Sequence, residues 1–108
     1  MPVTHINQFL TRAEEIWNLY QQQGPGQLDA KLFAGMPECL AKIESTLADQ
    51  PPALLQAFRD VCKLCERCVC RSEGLCFITG EAGLIPRRDL HDLMESSLRQ
   101  LQEYRATL

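Results

Sequence analysis

The sequence predicts an all-α fold, an up-and-down bundle of four main helices with a fifth short helix as an option. Three observations predict it. Four long stretches carry apolar residues at helical spacing, Gly and Pro fall between those stretches, and 45% apolar content in 108 residues suits one shared core. A chain of this size has room for a single domain, residues 1–108, and buries about two-thirds of its unfolded surface, so it folds without covalent staples.

The first helix is predicted from Thr4 to Gln22. At about 100° per residue, Ile6, Phe9, Leu10, Ala13, Ile16, Trp17 and Tyr20 fall within about 120° of arc, with Thr11, Glu14, Glu15 and Asn18 on the other side. Gln23-Gly24-Pro25-Gly26 ends it, since glycine accepts a left-handed cap and proline cannot continue the ladder. A short helix over Leu28–Ala34 is an option, stopped by Gly35. Pro37 then opens a second main helix running to Ala48, with Met36, Leu40, Ile43 and Leu47 on its stripe.

Gln50-Pro51-Pro52 breaks the chain and restarts it. From Ala53 to Cys70 the apolar stripe is Leu54, Leu55, Phe58, Val61, Cys62, Cys65 and Val69, while Gln56, Arg59, Asp60, Lys63, Glu66 and Arg67 are expected to face water. Residues 71–85, punctuated by Gly74, Gly80 and Gly83, do not fit a helix. Either an irregular loop or a small β-hairpin, pairing residues 75–78 with Leu84-Ile85, suits them, and two strands alone need the bundle's support. The last helix begins near Pro86, with Leu90, Leu93, Met94, Ser97, Leu101, Tyr104 and Leu108 as its stripe.

Charge and termini narrow the function classes. A net charge of −3 and a pI near 5.3 oppose binding to a nucleic-acid backbone or docking through a polybasic membrane anchor. The N-terminal residues lack a secretory pattern and no apolar run reaches the roughly 20 residues a membrane span needs, so a cytoplasmic location is expected. Reduced thiols are then expected for the six cysteines.

Five of those six cluster as C-x2-C-x2-C-x-C-x5-C, from Cys62 through Cys65, Cys68 and Cys70 to Cys76. Three cysteines at this spacing open a motif similar to that of bacterial ferredoxins. Here, however, Cys70 follows after one residue and precedes Arg71, where the motif requires three and a proline, so that family is not assigned. Cys62 and Cys65 lie mid-stripe, where cysteine packs as a small hydrophobe. Two readings stand. In the first the cysteines are core residues and the protein has no cofactor; in the second Cys65, Cys68, Cys70 and Cys76 ligate zinc or an iron–sulfur cluster. Redox pairing is disfavoured, because these thiols lie toward a helix C-terminus, where the dipole raises their pKa.

Lys63, Arg67 and Arg71 follow at i, i+4 and i+8, and Arg87 with Arg88 comes just after the loop. Folded together, these five form a local basic patch suited to an acidic or helical segment of another protein, against the plainer reading of a solvated helix face. His91 sits among Asp89 and Asp92, which oppose a phosphoryl group. No Ser/His/Asp arrangement, phosphate loop or dinucleotide fingerprint is present. The expectation is a non-enzymatic interaction module (adaptor, assembly chaperone or regulator) that forms a homodimer, with the metal protein as the alternative.

Overall fold

The computed structural model describes residues 2–24, 28–69, 77–78, 83–84 and 87–107. Four α-helices carry the fold: α1 (Pro2–Gln23), α2 (Met36–Thr46), α3 (Pro52–Val69) and α4 (Arg87–Ala106). A 3-10 turn, η1 (Ala30–Phe33), precedes α2, and two short strands, β1 (Phe77–Ile78) and β2 (Gly83–Leu84), lie between α3 and α4. The all-α bundle predicted from periodicity is what forms. α1 and α3 each pack against the three other helices, and α2 and α4 flank that central pair.

Local chemistry sets the boundaries. α1 ends where Gly24 takes φ 86°, and its N–H donates to the Tyr20 carbonyl at 2.8 Å. The optional helix over 28–34 is a four-residue 3-10 turn instead. Asp29 caps it by accepting from the Lys31 N–H at 2.9 Å, and a stretch this short closes more readily with i→i+3 bonds. Gly35 then reverses the chain at φ 86°, a conformation that strains any residue bearing a Cβ, and its carbonyl receives the Cys39 N–H at 3.0 Å. α2 stops at Thr46, two residues short of expectation, with the Thr46 hydroxyl donating back to the Lys42 carbonyl at 2.9 Å.

The core follows the predicted stripes closely. Ile6, Phe9, Leu10, Ala13, Ile16 and Trp17 of α1 are buried, as are Met36, Ile43 and Leu47 beside α2 and Phe58, Val61, Cys62, Cys65 and Val69 of α3. Phe9 and Phe58 meet edge to face with centroids 5.6 Å apart, and Phe58 meets Tyr104 at 6.5 Å, so one aromatic line ties α1, α3 and α4.

Two expectations are corrected. Leu93, placed on the α4 stripe, is 44% exposed, while Leu98 is buried in its stead. The seam α4 presents to α1 and α3 is Leu90, Met94, Leu98 and Leu101, and Leu93 lies about 100° from its centre. Arg67, expected in water, is fully buried. The end of α3 is enclosed beyond its stripe, with Leu64, Cys68 and Val69 buried as well, because α3 also packs against η1 and β1.

β1 and β2 pair antiparallel, Phe77 opposite Leu84 and Ile78 opposite Gly83. The rest of the expected hairpin or loop over 71–85 lies outside the described residues, as does Leu108. No described helix is long and apolar enough to cross a membrane.

Candidate functional site: the α2–α3 groove and its cysteines

Cys62, Cys65 and Cys68 stand three residues apart on α3, and all three are buried. Cys39 faces them from α2, half-buried, its thiol donating to the His5 carbonyl at 3.2 Å. Burial pushes the Cys62 thiol up to about 12, helped by the negative charges of Glu66 and Glu44. Burial raises the Cys65 thiol well above its ordinary value, and the neighbouring Cys68 and Cys62 add to this. Burial also raises Cys39, against a smaller lowering by Lys42. Nucleophilic attack uses the thiolate, so at neutral pH the Cys39, Cys62 and Cys65 sulfurs are held in the less reactive form.

Cys65 and Cys68 thus sit in the core. Cys70 and Cys76, the other two sulfurs of the metal reading, lie outside the described residues. Among the described residues no three His, Cys, Asp or Glu side chains gather as a metal site.

The raised thiols make stability depend on alkaline pH. The Cys62 thiol ionises near 9 in the unfolded chain and near 12 in the fold. Stabilisation from its buried neutral form is therefore complete below about pH 9 and is lost as pH rises through about 12. Urea midpoints are expected to fall steadily from about pH 9 upward, and to fall less steeply in Cys62→Ala. A flat profile through that range would show that the thiol is not shielded.

Cys62 also reaches the floor of a groove of about 180 Å³ between η1–α2 and α3. Phe33, Pro37 and Leu40 form one wall; Arg59, Lys63 and Glu66 line the other. Arg59 is braced by Glu44, Nη2 to Oε2 at 3.1 Å, and burial raises the Glu66 carboxyl above its usual value. The groove thus presents an apolar wall facing a charged wall of two cations and one carboxylate.

No protein-family model, curated protein or solved structure matches this chain. The site's own geometry is therefore the basis for a functional reading.

The five-residue basic patch is not one surface. Lys63 lines the groove, whereas Arg67 points into the interior. Arg71 lies outside the described residues, and Arg87 and Arg88 form the first turn of α4 with their side chains undescribed. Sequence reading missed Phe33, Pro37, Leu40 and Arg59 as companions of Lys63. Only the i, i+4 spacing of Arg59 and Lys63 signals part of this set, because the wall is supplied by the distant η1 and α2.

Two other clefts are less suited to a ligand. One, of about 380 Å³ between α1 and α4, is lined by polar groups, four of which pair with one another. Trp17 Nε1 donates to Glu95 Oε1 at 3.2 Å, and Gln102 and Arg105 engage Glu14 at 2.8 and 3.4 Å. His91 lies against Trp17 with its ring centroid 5.3 Å away and its Nε2 3.7 Å from Glu95. The carboxylates of Asp92 and Glu95 both flank His91, an unfavourable setting for phosphoryl transfer. The other, of about 530 Å³, is a shallow mixed surface between α1 and the start of α2, where Gln8, Arg12 and Glu15 face Gly35 and Met36.

Proposed function

We propose that this protein is a non-enzymatic helical interaction module that binds another protein chain through the α2–α3 groove. The observation that carries the reading is the groove's chemistry: its one thiol, Cys62, is kept protonated, and what remains is an apolar wall facing Arg59, Lys63 and Glu66. Such a surface recognises rather than reacts. An apolar side chain fills the groove while flanking carboxylates meet the cations, as when a helix presents anchors at i and i+3 or i+4 to a hydrophobic groove.

The test is affinity capture of the tagged chain from the cells that make it, followed by reconstitution with the purified captured protein. Wild type and a remote control, Gln22→Glu on the exposed end of α1, are expected to retain a partner that Lys63→Glu loses. Identical retention by Lys63→Glu would refute the groove as the binding surface.

A further inference from the structure

Leu93 is the one large hydrophobic side chain exposed among the described residues. It stands on the outer face of α4 with Asp89 one turn before it and Asp92 beside it, both exposed, Asp92 almost completely. This face has the features the groove is suited to receive: a helix, an apolar anchor and flanking negative charge. The groove offers the complement, with Phe33, Pro37 and Leu40 to meet a leucine, and Lys63 together with the exposed part of the Glu44-paired Arg59 to meet carboxylates across from Glu66.

Resting on the reading of the groove as a binding surface, we infer that its occupant is a second copy of this chain. The Leu93 ridge of each protomer lies in the α2–α3 groove of the other. In a two-fold pair the contact is made twice, since whatever one protomer presents its partner also presents. The doubling matters because a stable interface needs about 800 Å² from each partner, and a single groove of this size supplies only part of that. The groove holds about six waters' worth of space, which a leucine side chain displaces on docking. The charged rim sets the register and makes association sensitive to salt.

The other features of the molecule carry less. In the α1–α4 cleft Trp17, Glu95, Gln102 and Glu14 pair internally, and in the more open cleft at the start of α2 the lone cation Arg12 lies beside Glu15.

Sedimentation equilibrium of the purified full chain tests the inference directly. Wild type is expected to form a reversible dimer that weakens as salt is raised. Leu93→Asp and Lys63→Glu are each expected to weaken it by about tenfold or more for each of the two contacts, while circular dichroism stays that of the folded wild type. A strict monomer at the highest attainable concentration overturns the inference. So does a dimer indifferent to both substitutions, or open-ended growth in place of a closed pair. If the pure protein is monomeric yet groove-dependent capture of a different protein persists, the second copy is excluded and the binding function stands. If capture is also indifferent to Lys63, the functional reading falls with it.

Discussion

Phe58→Ala is expected to lower the unfolding free energy by about 3–5 kcal/mol, the range for removing a large aromatic ring from a close-packed interior. The ring is fully buried. It meets Phe9 of α1 at 5.6 Å with planes 64° apart and Tyr104 of α4 at 6.5 Å with planes 90° apart, both edge-to-face arrangements. Truncation therefore removes the transfer energy of the ring, opens a cavity and deprives two further aromatics of their neighbour. The helices on either side are held by many other contacts and do not collapse fully into the space. Against a total stability of about 5–15 kcal/mol for a small domain, this is a large fraction. Urea unfolding followed by circular dichroism gives the number. Phe58→Leu, which keeps most of the volume, is expected to lose less than half as much. A loss below about 1 kcal/mol for Phe58→Ala would mean that α1, α3 and α4 do not converge on this residue.

How far the sequence foretold the structure depends on how many neighbours a helix has. α1 reads almost correctly from its periodicity, and Ile6 to Trp17 lie buried as their spacing predicts. α4 is read with a rotation. Its sequence contains two overlapping apolar stripes, one through Leu93 and Ser97 and one through Leu98, and only packing against both α1 and α3 selects the second. α3 departs furthest. A helical wheel assigns one wet side to every amphipathic helix, but α3 touches all three other helices, η1 and β1. Its last turn is consequently buried in directions its own pattern marks as polar. The groove was invisible for the same reason: Lys63 and Arg59 are neighbours in sequence, while Phe33 and Leu40 reach them only through the turn at Gly35 and the packing of α2 on α3. The core role of Cys62 and Cys65 was legible from their stripe, and that of Cys68 was not, since it lies at the stripe's margin.

Arg67 yields the second large effect. It stands about 180° around α3 from Phe58, the position most certain to be wet in an isolated helix, and here it is the largest fully buried side chain. A guanidinium does not give up its proton at any ordinary pH, so the charge goes inside with the side chain, and interactions with other groups hold it there. Arg67→Ala is expected to cost about 3–5 kcal/mol, through lost volume and through the groups left facing an empty site. Packing and charge separate in two further variants. Arg67→Met restores most of the volume without the donors, and Arg67→Lys restores the charge without the planar fork. Both are expected to remain closer to Arg67→Ala than to wild type in urea unfolding, because neither presents a planar guanidinium to the groups that engage Arg67. Recovery of wild-type stability in Arg67→Met would show that the site needs only volume, as replacement of a buried ion by a hydrophobe sometimes permits. A loss below about 1 kcal/mol in Arg67→Ala would place the side chain in water and return it to the basic surface that its helical position predicts.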